Sequence, residues 1–259
     1  MDGHDEVKSG EPNLSAILGA EEYARERLQP STTGELYLHL ADLRDALHSF
    51  ATSERLRLLD YGCGGSPYRS FFPRAEYVRA DFTPCTGLDF LLPVDSTIPR
   101  KAGLFDIVLS TQVLEHVPEP AHYIAECFRV LNPGGALLLT THGLYEDHGC
   151  PYDFQRWTAD GLRMLLEKAG FEVSAVKKLT CGPRAICFFL NHGFGYLRAP
   201  KTSPFGFAMW MLRGLRRLSP AWLNRAADKH FKKYGVVDAY TEGSNLYIAL
   251  LVHARRPNA

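Results

Sequence analysis

Apolar positions recur at helical spacing in two early stretches, Leu14 to Leu28 and Glu35 to Phe50, the second placing Leu36, Leu40, Leu43 and Leu47 on one face. Shorter apolar runs follow, separated by glycine-rich turns. Leu56 to Tyr61 reads as a buried strand that enters Gly62-Cys63-Gly64-Gly65 and then a helical Pro67 to Phe72. Further strand patterns occur at Tyr77 to Ala80, Leu91 to Val94, Phe105 to Ser110 and Ala136 to Thr141, with a strongly periodic helix over Ala121 to Leu131 before the last of these. Asn132-Pro133-Gly134-Gly135 predicts a firm stop for that helix. Thr158 is placed to cap a helix running to Ala169, with Gly170 at its end. Phe171 to Leu179 and Asn245 to His253 read as the closing strands.

Strands alternating with helices predict an α/β fold, a doubly wound and mostly parallel sheet with helices on both faces. The expected organisation is a disordered polar tail over 1–13, N-terminal helices over 14–54, and a core over 55–181 and 244–256. Residues 182–243, rich in aromatics, prolines and glycines, read as a helical insertion or lid. An ordered core suits 46% hydrophobic and 22% charged residues. Basic and acidic side chains balance at 29 each, which predicts no nucleic-acid partner. Six cysteines without a CxxC pair suggest free thiols in a reducing cytoplasm, and no His/Asp/Glu group shows metal-ligand spacing. Neither a basic-then-apolar start nor an apolar run of bilayer length is present, so a cytoplasmic protein is expected. The stretch Phe205 to Leu218 mixes aromatics with arginines; a packed lid or dimer helix is favoured there over peripheral membrane contact.

The most informative segment is Leu58-Leu59-Asp60-Tyr61-Gly62-Cys63-Gly64. Glycines let a backbone approach a ligand closely, and a following helix would offer free amides to it. A dinucleotide fingerprint would need glycine where Pro67 stands. Asp60 suits a ligand carrying a free ammonium, as the methionine end of S-adenosylmethionine does. Asp81 follows the second strand, about 20 residues on, where a carboxylate meets ribose hydroxyls. Asp95, ahead of Ser96, is placed for an adenine amino group.

In this order the residues resemble class I S-adenosylmethionine-dependent methyltransferases, and among them the small bacterial type 11 group. The resemblance runs from about Leu56 to Phe171 and includes Phe105-Asp106-Ile107-Val108-Leu109-Ser110, Val113-Leu114-Glu115-His116-Val117 and Arg129-Val130-Leu131-Asn132-Pro133-Gly134-Gly135. It implies a Rossmann-like sheet of seven strands, the last antiparallel. It also implies that Asp60, Gly62 and Gly64 line the methionine end, with Tyr61 and Cys63 between them. Asp81 and Phe82 would meet ribose, Asp95 and Ser96 adenine, and Ser110, Thr111 and Gln112 would pass beneath the sulfonium. His116 is read either as a wall of the cofactor pocket or as a core or capping histidine.

Methyl transfer asks mainly for proximity and orientation, although a hydroxyl acceptor also wants a base. His142, His148 and Asp153 are the candidates for that base, near the C-terminal ends of the fourth and fifth strands, with His142 and Asp153 taken as the catalytic pair. Pro151-Tyr152-Asp153-Phe154-Gln155-Arg156-Trp157-Thr158 looks like a stretch of methyltransferases from bacterial surface-polysaccharide clusters, so a small-molecule or glycan acceptor is expected, with S-adenosylhomocysteine as product. Against this, Asp153 and Arg156 could form a structural ion pair with Trp157 in the core. Two readings compete for the whole chain: a dinucleotide-dependent oxidoreductase or epimerase, and a catalytically silent methyltransferase-like subunit. Pro67 and the lack of a Tyr-x-x-x-Lys pair oppose the first, and the intact Asp60, Gly62, Gly64, Asp81 and Asp95 set opposes the second.

Overall fold

The computed structural model describes residues 19–85, 87–149, 152–193, 204, 206–208, 211 and 220–258. The expected tail over 1–13 lies outside them, as does most of the Phe205 to Leu218 stretch. Within the described residues the strands are β1 (Arg57–Tyr61), β2 (Glu76–Asp81), β3 (Phe90–Leu91), β4 (Phe105–Thr111), β5 (Leu131–His142), β6 (Glu172–Cys181), β7 (Val236–Asp238) and β8 (Tyr247–Arg255). The helices are α1 (Ala20–Leu28), α2 (Tyr37–His48), α3 (Pro120–Val130), α4 (Ala159–Lys168), α5 (Gly182–Gly193) and α6 (Pro220–Phe231).

The strands form one sheet in the order β3-β2-β1-β4-β5-β8-β6-β7. Pairing is parallel from β3 to β5, and β8 inserts antiparallel between β5 and β6. That is the mostly parallel architecture the alternation predicts, with the expected antiparallel last strand. Seven strands become eight because Val236–Asp238, inside the segment read as a mainly helical insertion, pairs antiparallel with the edge of β6.

Period-two alternation explains why both faces are covered. Leu58, Leu109, Leu138 and Leu251 point to one face, under Leu43 and Leu47 of α2. Leu59, Val108, Leu137, Leu139 and Val252 point to the other, under α3 and α4. Helix α2 is buried on more than its leucine stripe. Asp42 accepts from both Nε and Nη2 of Arg184 at 2.8 Å and from Thr180 Oγ1 at 2.7 Å, while Arg184 Nη1 donates to Asp228 at 2.8 Å. This buried network ties α2, β6, α5 and α6 together.

Two local expectations change. Pro67 to Phe72 forms a single 3-10 turn over Arg69–Phe71 and no α-helix, so β1 crosses to β2 by a tight loop. Asn132 to Gly135 lies inside β5 as a bulge, where the register with β4 jumps from Phe105↔Leu131 to Ile107↔Ala136. Gly134 takes φ +76° there, and a Cβ on Gly135 would come within 2.8 Å of Asn132 O. The remaining stops are as the residues suggest: Thr158 caps α4 through Gly161 N at 3.1 Å, and Gly170 follows it at φ +97°.

Candidate functional site

The C-terminal ends of the parallel strands gather most of the residues singled out above. After β1 the chain turns through Gly62 at φ +81° and Gly64 at φ +47°. A Cβ on Gly62 would lie 2.6 Å from the Val113 side chain, whereas one on Gly64 would meet only the Tyr23 ring, at 3.7 Å. The turn is pinned to β2, because Ala80 O accepts from both Gly62 N and Cys63 N and Asp81 Oδ2 accepts from Gly64 N at 2.8 Å. Asp81 Oδ1 accepts from Thr83 N at 2.9 Å, so the carboxylate closes the turn while each oxygen keeps further lone pairs. Burial pushes the Asp81 carboxyl up, against the three backbone amides that favour its charge. Arg79 braces the same turn, donating from Nε to Ser66 Oγ at 2.8 Å.

Other expected residues stand at different depths. Asp60 is sealed beneath the turn, 2% exposed, accepting from Tyr77 O–H at 2.7 Å, and burial pushes its carboxyl up to about 7. It supports the turn from below and offers no open oxygen for an ammonium. Tyr61 is likewise buried, stacked on Tyr123 at 4.1 Å with its hydroxyl donating to Ser96 O. Ser110 Oγ is 2.8 Å from the Tyr123 hydroxyl and fully enclosed. Burial pushes the Cys63 thiol well up, so it stays protonated. Tyr61, Cys63 and Ser110 are therefore the wall behind the site. Phe82 is exposed, and Asp95 is exposed with Oδ1 accepting from Thr97 N at 3.0 Å, which holds its carboxyl low. Asp95 and Ser96 line a cleft of about 270 Å³ with Val117 and His122.

Ser66, Ser96 and Gln112 all adopt left-handed φ values, +49°, +64° and +55°, in the loops after β1, β3 and β4. Non-glycine residues in that region collect where surroundings hold the backbone for a purpose. Thr111 ends β4, and Gln112 donates from N and Nε2 to Thr140 Oγ1 at 3.1 and 3.2 Å, leaving its Oε1 without a partner. No α-helix follows the glycine turn, and the amides of Ser66 and Arg69 are already bonded to Cys63 O and Ser66 O. The helix N-terminus on which a dinucleotide pyrophosphate sits is therefore missing after this turn.

Beside this turn, at the β4 and β5 ends, histidines and carboxylates converge. Glu115, on the single turn Leu114–His116, is fully buried; its Oε2 accepts from Thr141 Oγ1 at 2.8 Å and its Oε1 has no hydrogen-bond partner. His142 Nε2 lies 3.4 Å from that Oε1, and the ring stacks on Tyr145 at 4.1 Å. Desolvation pushes the Glu115 carboxyl up to about 7 and His142 well below the usual histidine range. The loop 152–157 roofs the cluster: Phe154 N and Gln155 N donate to Glu115 O, Trp157 N to His142 O, and Tyr152 O lies 2.7 Å from His116 Nδ1.

Asp153 is committed elsewhere. Its two oxygens accept from Arg156 Nη1 and Nη2, each at 2.6 Å, and Oδ2 also accepts from His148 N at 2.9 Å. Those contacts outweigh partial burial and hold its carboxyl low. Asp153 is thus a fixed ion-pair partner in place of the base expected of it, and Trp157 packs against the core. Glu115, His142 and His148 present ligand atoms all within 4.8 Å of one another, a grouping that their sequence spacing does not reveal. Tyr23 was also missed. It lies on α1, ahead of the sheet, and only the fold brings it over Gly64.

A methyltransferase domain family model matches residues 36–176. A protein of Mycolicibacterium smegmatis named a probable S-adenosylmethionine-dependent methyltransferase is 30% identical over 143 residues, 53% of this chain and 52% of that protein. The ubiquinone biosynthesis O-methyltransferase of Xanthomonas oryzae is 35% identical over 101 residues, 33% of this chain and 42% of that one. The chain thus spans about half the length of the curated relatives it matches, or less. Among solved structures, the [4+2]-cyclase SpnF superposes with a TM-score of 0.54 at 22% identity, covering 86% of this chain and 83% of that one. An S-adenosylmethionine-dependent methyltransferase from Mesorhizobium loti gives 0.51 at 16% identity, covering 85% and 100%. These two likenesses establish a shared fold. With the family model spanning β1 to β5 and the site they carry, the chain belongs to the methyltransferase domain family.

Proposed function

We propose that the chain binds S-adenosylmethionine at the Gly62 to Gly64 turn and transfers its methyl group to a hydroxyl of a small molecule or glycan. The observation that carries this reading is the lock between Gly64 N and Asp81, which sets an open glycine beside a carboxylate with lone pairs to spare. Such a pair suits a ligand with vicinal ribose hydroxyls pressed against backbone. Asp95 and Ser96 border the adenine side.

When bound, the cofactor supplies an activated methyl on a sulfonium, a leaving group that needs no covalent help. The protein's share is orientation. Thr111 and Gln112 carry the chain past the reacting centre, and the roofed histidine cluster next to them faces the acceptor. His142 is sealed and Asp153 is paired, which leaves His148, part exposed and hydrogen-bonded through its ring to Glu146 O at 3.2 Å, as the residue of this cluster that an acceptor hydroxyl would meet. The name of the Xanthomonas oryzae relative, an O-methyltransferase, favours oxygen as acceptor. Among the described residues no helix is long and apolar enough to cross a membrane.

Labelled methyl transfer from S-adenosylmethionine to a panel of hydroxyl-, amine- and carbon-acceptor compounds, glycans included, tests the proposal. Label on hydroxyl compounds is expected. Label confined to amines or carbon acceptors would overturn the hydroxyl assignment.

A further inference from the structure

Three segments bring Glu115, His142 and His148 together: the turn after β4, the end of β5 and the loop beyond it. We propose that these three side chains bind a divalent transition-metal ion of the zinc or manganese class. Their spacing suits it. Bonds of about 2.1 Å to nitrogen and oxygen put tetrahedral ligand atoms about 3.4 Å apart, and His142 Nε2 is 3.4 Å from Glu115 Oε1. His148 completes the set, with the ligand atoms of all three residues within 4.8 Å of one another.

The polar atoms around the three residues point the same way. Glu115 Oε1 is buried without a hydrogen-bond partner, while its other oxygen is fixed by Thr141. A buried acceptor left unmet is destabilising, and a bound cation would satisfy it. His148 turns Nδ1 toward Glu146 O at 3.2 Å and Asp153 Oδ2 at 3.4 Å, leaving Nε2 for the cluster. Asp153 is in turn held by Arg156. A carboxylate behind the far nitrogen of a histidine is how metal-bound imidazoles are oriented, and it gives the Asp153 and Arg156 pair a purpose beyond stability. Two imidazoles and one carboxylate disfavour magnesium and calcium, which take oxygen cages.

Three protein ligands leave a coordination position open. The entrance is at His148, whose side chain is 33% exposed while those of Glu115 and His142 are 0% and 5%. An acceptor oxygen filling that position would be held and acidified beside the methyl donor, a role that rests on the methyl-transfer reading; the ion's binding does not.

The test titrates Zn2+ into the full chain after chelator treatment, by calorimetry, with Co2+ absorption in parallel. One ion per chain is expected, with a raised melting temperature and a cobalt spectrum of mixed nitrogen and oxygen ligation. His148→Ala, at a part-exposed position, should weaken Zn2+ binding by about 100-fold or more, and Asp153→Asn, which keeps the side-chain shape, by roughly 10–100-fold. Folded wild-type protein that takes up no Zn2+, or His148→Ala that binds it as wild type does, would overturn the site. S-adenosylmethionine titrated into the same stripped sample reports on the cofactor pocket separately, so either reading can fail without the other.

Discussion

Asp60 shows how a single residue can be read correctly in position and differently in role. Its place before the first glycine suggests a ligand contact, yet burial puts it under the turn with Tyr77 as partner. Burial depth is set by packing from β2 and the turn, which no spacing in the sequence encodes. The consequence is measurable. With its folded-state pKa raised to about 7 from 3.8, Asp60 keeps a proton in the native state that the unfolded chain has lost. Its contribution is full below the unfolded value and is lost as pH rises through about 7, a slope approaching ~1.4 kcal/mol per pH unit in between. Asp60→Asn should remove that slope, so urea unfolding at pH 5 and 6.5 should show the variant gaining on wild type as pH rises. Parallel pH dependences would refute the burial account. The two turn glycines also separate. Gly62→Ala forces a methyl against Val113 at 2.6 Å and should cost about 2 kcal/mol or more, whereas Gly64→Ala meets only Tyr23 at 3.7 Å and should cost about 1 kcal/mol. Equal losses in thermal unfolding would contradict the geometry.

Among the elements, those with strong periodicity stand close to where the residues place them. Helix α3 covers Pro120–Val130 and α4 begins at its Thr158 cap, because an apolar stripe and a cap are local signals. The misread elements are those decided by tertiary context. Pro67 to Phe72 has helix-like spacing but spans a short crossover that leaves room for one 3-10 turn. Asn132 to Gly135 resembles a loop and is drawn into β5 as a bulge, while β7 forms only because β6 offers an open edge. Helix α2 illustrates the same limit, since its leucines announce one buried face and Asp42 lies on another. Asp42→Ala should destabilise the fold by about 3–5 kcal/mol, because Arg184, 2% exposed, would keep only Asp228 as a charge partner. Urea denaturation would show it, and a loss under about 1 kcal/mol would mean the network is not the tie between α2, β6 and α5 described above.

For the whole molecule, the order of glycine turn, Asp81, Asp95 and the loop after β4 was legible because these residues sit at strand ends that the α/β alternation brings to one edge. Family membership follows from the same stretch, residues 36–176. The histidine and carboxylate cluster was not legible, since Glu115, His142 and His148 come from separate segments and meet only when β4 and β5 pair in register. Tyr23 was hidden for the same reason. Whether the glycine turn is a cofactor pocket is decided by isothermal titration of the purified chain with S-adenosylmethionine and S-adenosylhomocysteine. Micromolar binding of both is expected, abolished in Gly64→Arg and weakened by about 1–3 kcal/mol in Asp81→Ala. No binding to the folded wild-type chain, or equal affinity in all three proteins, would contradict the account.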